Sequence, residues 1–424
     1  MDNRSIVIGL FWHAFDSGNH GVNALTVSNI ALAREAAEAA GLVPRFVLFA
    51  PGWGTASETT ADGHEVIRIN RRSLLTSRKI WSRLATVDCV LDISAGDSFA
   101  DIYGAKRFFW MWGTKFMTLL RGVPLVLSPQ TIGPFTQQPY KWLAGHVMNR
   151  AKMVMARDPL SFDAVGAIAP RANRLLSADV AFRLPFTRRA RADDGKLHVG
   201  INVSGLLWVQ SGDGGNKYGL SYDYAEMTLK ILDSLTSRGD VVVHLITHVV
   251  DKEIPSDNDG WIVDKLARQY PAAVRVPDFV GPSEAKSYIS GLDELIAARM
   301  HACIAAFSSG VPVLPVAYSR KFVGLFQNLL GYGHTLPQSG FDTAAAAAFI
   351  LDRIDRGDEL AAALVSSNAR VAPLLDVYIE ALGNLFGQIG SKANPDKLWQ
   401  RADGSVHHEA GGRHAVSEGA EAAR

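Results

Sequence analysis

The sequence predicts an α/β protein built from two parallel-sheet domains that face each other across a cleft. Three observations support this fold class. Short apolar runs rich in β-branched residues alternate with longer segments of helical periodicity along most of the chain. A charged, turn-rich linker at 186–196 divides this alternation into two series. Polar residues stand just after strands in both series, where open α/β sheets bind their ligands.

Length and composition restrict the classes of protein that the chain can represent. Its 424 residues are 48% hydrophobic, which suits two domains with packed cores. The net charge of +1 argues against a nucleic-acid partner, so any anion site must be a local cluster. Cys89 and Cys303 stand apart and suggest neither a zinc site nor a disulfide framework. We see no signal peptide and no apolar run of membrane-spanning length, so we expect a cytoplasmic protein.

The first domain, assigned to residues 1–185, is predicted from a series of apolar strands separated by helices. The strands are placed at 6–11, 45–49, 89–93, 124–127, 153–156 and 174–176. The loop 16–23 contains glycines that let a ligand approach the backbone closely, and a helix at 24–40 follows it. Asn19 lies in this loop, and Asp97 and Gln130 follow the third and fourth strands. We therefore expect these three side chains to line the cleft.

Three charged residues near the end of the first domain have different predicted roles. Arg157 follows the strand at 153–156 without a local function, which makes it a candidate anion ligand. Asp158 and Pro159 have the pattern of a helix N-cap and first helical residue, so we interpret Asp158 as structural. Asp179 follows the strand at 174–176 and either faces the cleft or pairs across the domains.

The helix predicted at 106–121 carries more large apolar side chains than one buried face needs. Phe108, Phe109, Trp112 and Phe116 fall on one helical face, whereas Trp110 lies off it. One interpretation is a core helix with additional apolar residues. The alternative is contact with a glycan or a lipid headgroup.

The second domain, assigned to residues 197–390, repeats the pattern of strand and helix. Its strands are placed at 197–203, 241–247, 274–276, 295–297 and 313–316. Asn202 and His248 stand at the ends of the first two of these strands, and the glycine-rich loop 211–217 is a candidate lid. The polar segment 391–424 is expected to be a disordered tail.

The stretch from Arg299 to Lys321 concentrates the residue types that bind anions and move protons. Arg299 and His301 follow a strand at the start of a helix that Gly310 ends, and Tyr318 and Lys321 follow the next strand. Arg299 offers a planar fork for phosphate or carboxylate, and His301 titrates near neutral pH. The alternative is an arginine–acid pair at a domain interface with a structural histidine. The four residues together favour a binding site.

Four stretches carry a resemblance to the polysaccharide pyruvyl transferase family. They are Gly18-Asn19-His20-Gly21, Gln130-Thr131-Ile132-Gly133-Pro134, Arg157-Asp158 with Ser161, and Arg299-Met300-His301 with Gly310-Val311-Pro312-Val313 and Tyr318 to Lys321. The resemblance covers most of residues 6–330, and the segment from Arg299 to His301 is its most specific part. The chain departs from the family pattern at Val22, where an acid is common, and at 94–97, where a glycine triplet is common.

The resemblance implies a GT-B-like fold of two Rossmann-like domains, the first on the acceptor side and the second on the donor side. It also implies transfer of the enolpyruvyl carbons of phosphoenolpyruvate to sugar hydroxyls as a pyruvate ketal, with release of phosphate. We expect no cofactor and no metal. The acceptor is a saccharide, free or lipid-linked, and we leave open a peripheral contact with the inner face of the membrane. The oligomeric state is not determined.

Site roles follow from the resemblance. His301 and Arg299 are the catalytic candidates, although His301 is either the acid or a phosphate ligand. The donor-binding candidates are Arg157, Arg299, Tyr318, Lys321, His248 and Asn202. The acceptor-binding candidates are Asn19, Asp97 and Gln130. Two alternatives keep the same scaffold: a GT-B glycosyltransferase that uses a nucleotide sugar, and a non-catalytic glycan-assembly protein.

Overall fold

Parallel strands form two sheets in the part of the chain that the structure describes. This computed structural model describes residues 4–52, 59–60, 62–96, 99–251 and 255–392. Every pair of neighbouring strands runs parallel. The strands are β1 Ser5–Phe11, β2 Val43–Pro51, β3 Glu65–Ile69, β4 Cys89–Asp92, β5 Leu125–Gln130, β6 Met153–Ala156, β7 Arg174–Leu176, β8 Leu197–Asn202, β9 Val241–Ile246, β10 Val274–Arg275, β11 Glu294–Ala297 and β12 Val313–Pro315.

Helices connect the strands and cover both sheets. They are α1 His20–Ala39, α2 Arg71–Thr76, α3 Arg78–Leu84, α4 Ala105–Leu120, α5 Tyr140–Met148, α6 Pro159–Ile168, α7 Gly205–Trp208, α8 Tyr224–Thr236, α9 Gly260–Gln269, α10 Pro282–Ile289, α11 Met300–Ser309, α12 Arg320–Phe322, α13 Thr343–Ile354, α14 Gly357–Asn368 and α15 Val371–Lys392. A π-helical run, Val323–Leu329, continues directly from α12.

The first sheet is buried on both faces. Its order is β3-β2-β1-β4-β5-β6-β7. Successive residues of β1 enter opposite cores: Ile8 and Leu10 pack into one apolar cluster, and Val7 and Phe11 into the other. This is the burial expected of a parallel sheet with helices on both faces.

The second sheet has the order β10-β9-β8-β11-β12. In each sheet, successive strands are added first on one side of the first strand and then on its other side. The topological switch points therefore lie between β1 and β4 and between β8 and β11. The fold class predicted from the alternation of strands and helices is confirmed.

The two halves are joined tightly along the linker. Lys286 of α10 is buried and donates to the backbone carbonyls of Phe182 and Leu184, at 3.2 and 3.1 Å. Arg188 then donates to the carbonyl of Ser309 at the end of α11, at 2.7 Å. The segment 186–196 contains no strand or helix but is anchored to the second domain by Arg188 and by the N–H groups of Thr187 and Arg189, which donate to Ser287 Oγ and Ser290 Oγ at 3.0 Å.

The last helix departs from the predicted domain division. The hydroxyl of Tyr378 in α15 donates to Asn29 Oδ1 at 2.8 Å and contacts Ser128 Oγ at 2.9 Å. Leu375, Tyr378 and Leu382 are fully buried, so α15 packs on the first domain although its sequence lies within 197–390. The stretch Gly357–Ser391 is apolar and long enough for a membrane span, but a buried core helix meets the same criterion. The helix runs to Lys392, and the rest of the predicted tail lies outside the described residues.

Several elements differ from their sequence predictions. We did not predict β3, which is an edge strand of the first sheet with a short apolar alternation, or the helices α2 and α3 that follow it. α1 begins at His20 rather than at residue 24, because Asn19 caps it by accepting from Gly21 N at 2.9 Å. The apolar pattern after residue 359 is divided into α14 and α15.

Candidate functional site

The switch points of the two sheets meet at one cavity of about 160 Å³. Its walls come from the residues after β1, β4 and β6 of the first sheet and after β8, β9, β11 and β12 of the second. The lining residues are Asn19, Val22, Ala95, Gly96, Arg157, Leu206, His248, Asp257, Arg299, Met300, His301, Tyr318, Ser319, Lys321 and Phe322. The candidates Asn19, Arg157, His248, Arg299, His301, Tyr318 and Lys321 are therefore brought together.

Arg299 lies in the wall of this cavity, but its guanidinium is already paired with two aspartates. Nη1 donates to Asp257 Oδ1 at 2.7 Å, and Nη2 donates to the Asp257 carbonyl at 2.7 Å. Nε and Nη2 both donate to Asp259 Oδ1, at 3.1 and 2.7 Å. Burial opposes the charge, yet the carboxylates of Asp259 and Asp257 raise the pKa of Arg299 above its ordinary value. The fork that we predicted for the donor is thus occupied by the protein.

Asp259 ties this arginine to the edge of the second sheet. Its Oδ2 accepts from the backbone N–H groups of His248 and Val249, at 3.1 and 3.0 Å, and its Oδ1 accepts from Gly205 N at 2.9 Å. Sequence reasoning missed both aspartates. Both lie late in the connection from β9 to α9, beyond the reach of the pattern that identified the other candidates, which was polar residues just after a strand.

Asn202 lies beneath the cavity rather than in its wall. Its Oδ1 accepts from Arg299 N at 3.0 Å, and its Nδ2 donates to the Ile246 carbonyl at 3.1 Å. The side chain thereby joins the ends of β8, β9 and β11. This geometry replaces the predicted donor contact of Asn202 with a positioning role for Arg299.

His301 occupies the first turn of α11 and faces the first domain. Its Nε2 is buried, has no hydrogen-bond partner among the described residues, and lies 3.9 Å from Asp179 Oδ2. Burial lowers the pKa of His301 to about 4, against the opposing effect of Asp179. A Cβ added at Gly21 would overlap the imidazole Nδ1, so glycine at that position lets the N-terminal loop close over His301.

Asp179 connects His301 to Arg157. Its Oδ2 accepts from Arg157 Nη1, and its Oδ1 accepts from Ala181 N at 2.9 Å. Arg157 Nε donates to Thr131 Oγ1 at 2.8 Å, and its Nη2 lies 3.7 Å from the sulfur of Met300. Asp179 pairs with Arg157 within its own domain and approaches His301 across the domains, which agrees with the second of its two interpretations, and it is not among the residues that line the cavity. Asp158 caps α6 by accepting from Ser161 N at 2.8 Å, as predicted.

Two further imidazoles lie beside this cluster. His20 and His248 are buried, and neither ring nitrogen of either residue has a hydrogen-bond partner within the described residues. Their ring centroids are 5.9 Å apart in an edge-to-face arrangement. Burial lowers the pKa of both, and for His248 the neighbouring His20, His301 and Arg299 lower it further. Sequence reasoning included His20 only as part of a motif.

Lys321 and Tyr318 close the cavity from the end of β12. The Lys321 ammonium lies 5.8 Å from the ring centroid of Tyr103, which belongs to the first domain. The Tyr318 ring packs edge-on against Tyr218 at 5.2 Å, and burial raises the pKa of its hydroxyl. Lys321 therefore lies where the two domains meet, and Tyr318 packs on Tyr218 of its own domain.

The predicted acceptor residues have three different outcomes. Asn19 lines the cavity. Gln130 does not, because its Nε2 donates to the carbonyls of Asp92 and Ser128, at 2.8 and 3.0 Å, inside the first domain. Asp97 lies outside the described residues. Among the described residues, no group of three or more His, Cys, Asp or Glu side chains is arranged to hold a metal ion.

Comparison with known proteins gives one family and one fold. A family model described as polysaccharide pyruvyl transferase matches residues 33–320. The amylovoran biosynthesis protein AmsJ of Erwinia amylovora is 22% identical over 275 residues, which cover 59% of this chain and 62% of that protein. The chain therefore matches somewhat less than two thirds of the length of that relative.

Solved structures of low sequence identity share the architecture. Sucrose-phosphate synthase from Thermosynechococcus elongatus aligns with a TM-score of 0.57 at 12% identity, over 92% of this chain and 100% of that one. The spinosyn rhamnosyltransferase SpnG aligns with a TM-score of 0.51 at 12% identity, over 89% and 100%. Anabaena Alr3699/HepE, solved with UDP and glucose, aligns with a TM-score of 0.52 at 13% identity, over 91% and 98%. These neighbours confirm a GT-B-like fold and, at such identity, nothing about substrates.

Proposed function

Because the chain belongs to the polysaccharide pyruvyl transferase family, a family of transferases, we propose that it uses phosphoenolpyruvate as its donor. The enolpyruvyl methylene carbon accepts a proton, and two sugar hydroxyls then form C–O bonds to the adjacent carbon, each losing its proton. The C–O bond to phosphate breaks, and the leaving phosphate takes up one of those protons. The product is a pyruvate ketal, and no oxidant or reductant is required.

The observation that supports this proposal is the small polar cavity at the amino end of α11, between the switch points of both sheets. A helix amino end offers backbone N–H groups and a favourable dipole to an anion, and the Arg299 side chain does not cap this one. Lys321 adds a cation at the opposite wall. We assign the donor phosphate and carboxylate to this region, with Tyr318 and His248 beside it.

The charges around the cavity refine the roles of the two arginines. Arg299 is matched by two carboxylates and Arg157 by one, so these groups bring no excess positive charge. We therefore assign to Arg299 the positioning of the loop after β9 and of the start of α11. Arg157 keeps one nitrogen, Nη2, directed at a thioether, which is a weak acceptor that an anion displaces easily.

We assign the proton transfer to His301. Its unpartnered Nε2 lies at the cavity, and Asp179 at 3.9 Å stabilises the imidazolium once a proton arrives. Asp179 acts through His301 and is a positioning residue. Asn19 of the first domain lines the same cavity, and we place the acceptor saccharide on that side.

We further propose that the acceptor is carried on a lipid at the cytoplasmic face of the membrane. The two free cysteines, both buried, agree with a reducing compartment. A saccharide on a lipid carrier would approach the cleft from the bilayer surface, which requires the protein to make a peripheral contact there.

Thermal unfolding and donor turnover test this function. Phosphoenolpyruvate should raise the melting temperature of the full chain, whereas UDP-glucose should not. Phosphate release from phosphoenolpyruvate should require an acceptor, supplied as envelope saccharide extract. His301→Ala should abolish release, whereas donor affinity should fall far less, by about the tenfold that protonation of His301 contributes. Stabilisation by UDP-glucose alone would favour a nucleotide-sugar glycosyltransferase, and an affinity loss that matches the turnover loss in His301→Ala would make His301 a phosphate ligand.

A further inference from the structure

Large apolar side chains are unusually concentrated on one surface of the first domain. Eleven of them are exposed among the described residues, and five belong to the segment 102–142: Ile102, Tyr103, Phe109, Leu120 and Trp142. Trp142 is 64% exposed and Phe109 is 45% exposed. Scattered apolar residues are normal on protein surfaces, but a contiguous group marks an interaction site.

The aromatic rings of α4 and α5 form a continuous surface. Phe109, Trp112 and Phe116 recur along one stripe of α4, with ring centroids 6.4 and 4.7 Å apart. Phe109 contacts Tyr140 at 5.9 Å, and Trp112 Nε1 donates to the Leu143 carbonyl at 3.1 Å. We call the side chains of Phe109, Trp112, Phe116, Tyr140 and Trp142 the aromatic surface.

This stripe adjoins the part of α4 that enters the core. Phe108 and Met111 are buried, Trp112 and Phe116 are partly buried against the same core, and Phe109 is exposed. Our prediction placed Phe108 and Phe109 on one face, and the structure divides them. Core packing explains Phe108 and part of Trp112 and Phe116, whereas the exposed Phe109 and Trp142 need another explanation.

The charges beside the aromatic surface identify its partner. The described helices α4 and α5 contain no acidic residue, and they carry Lys106, Arg107 and Lys141 near the aromatic surface. Exposed Trp and Tyr rings with neighbouring cations and no carboxylates are the pattern of a segment that rests on an anionic bilayer. We propose that the aromatic surface docks the protein on the surface of an anionic membrane.

The same surface leads to the mouth of the cavity. Tyr103 precedes α4, lies within 5.9 Å of Arg107, and faces Lys321 at the cavity wall. Docking through α4 and α5 therefore brings the cleft close to the lipid headgroups, where a lipid-linked saccharide would present its hydroxyls. This consequence rests on the proposed function, whereas membrane docking itself does not.

Vesicle sedimentation tests the surface. The full chain should bind vesicles of phosphatidylcholine mixed with phosphatidylglycerol and bind phosphatidylcholine alone at least about tenfold more weakly. Raising salt from about 0.1 M to about 1 M should release it, because the screening length falls from about 10 Å to about 3 Å. Trp142→Ser combined with Lys141→Glu should reduce binding at least about tenfold. The matched pair Trp261→Ser and Lys265→Glu, on α9 of the second domain, should leave it unchanged.

Three outcomes would overturn the proposal. They are equal binding to both vesicle types, equal losses in the two double variants, and a dimer in solution that dissociates in the Trp142→Ser and Lys141→Glu variant. Stabilisation by phosphoenolpyruvate, measured without vesicles, separates this proposal from the donor assignment. A variant that is still stabilised by phosphoenolpyruvate but no longer binds vesicles supports a docking surface distinct from the donor site. Vesicle binding without any response to phosphoenolpyruvate would refute the donor assignment and leave the docking surface supported.

Discussion

Binding of phosphoenolpyruvate should draw a proton from solvent onto His301. In the empty protein burial holds the pKa of His301 at about 4, so charging this imidazole near pH 7 costs about 4 kcal/mol. The attraction between the imidazolium and one phosphate charge about 4 Å away stabilises the charged form by about 4 kcal/mol at an effective dielectric constant near 20. The donor carries a phosphate of nearly two negative charges and also a carboxylate, so attraction exceeds the cost of burial. His301 should therefore be protonated in the donor complex.

Titration calorimetry in buffers of different ionisation enthalpy measures this uptake. At about pH 7.5 the donor phosphate, whose own pKa is near 6, is already ionised, so the proton must be taken up by the protein. We expect about one proton per donor bound in the native chain and nearly none in His301→Gln, with His146→Gln on α5 as the control. Donor affinity should rise up to about tenfold per unit as pH falls from 8 towards 6. No uptake in the native chain, or equal uptake in His301→Gln, would refute this reasoning.

Three further predictions follow from contacts outside the proton transfer. Arg299→Gln leaves the buried Asp259 and the partly buried Asp257 without their cation, so unfolding free energy should fall by about 3–5 kcal/mol in urea titrations; an unchanged midpoint would contradict the ion cluster. Gly21→Ala places a methyl group against the imidazole of His301, so turnover should fall at least about tenfold. The control Gly239→Ala, whose added Cβ has no neighbouring atom within 4 Å, should match the native rate. Burial lowers the pKa of His13 to about 4, so the unfolded chain binds this proton first, and His13 should contribute a loss of stability of at most about 3 kcal/mol between about pH 6.5 and 4; His13→Gln should remove that share of the slope in urea midpoints measured against pH and leave the share of the other buried histidines.

The fold class and the neighbourhood of the site are predictable from the amino-acid sequence. Parallel strands buried on both faces appear as short apolar runs, and this pattern is local, so it can be identified from spacing alone. Residues after strands must gather at one edge of a parallel sheet. That rule brought Arg157, His248, His301 and Lys321 to one cavity without any knowledge of the tertiary structure. The apolar pattern did not reveal β3, because its five residues at the sheet edge give too short an alternation.

The contacts of each polar side chain depend on the tertiary structure and could not be predicted from the sequence. Gln130 and Asn202 also follow or end strands, yet they point into the protein, because the direction of a side chain at a strand end depends on the pleat and on neighbouring strands. The pairing of Arg299 with Asp257 and Asp259 joins residues about forty positions apart through the fold of the loop after β9. No spacing in the sequence encodes that loop conformation. A buried cation takes the nearest carboxylate that the fold supplies, and for Arg299 that carboxylate belongs to the protein rather than to a ligand.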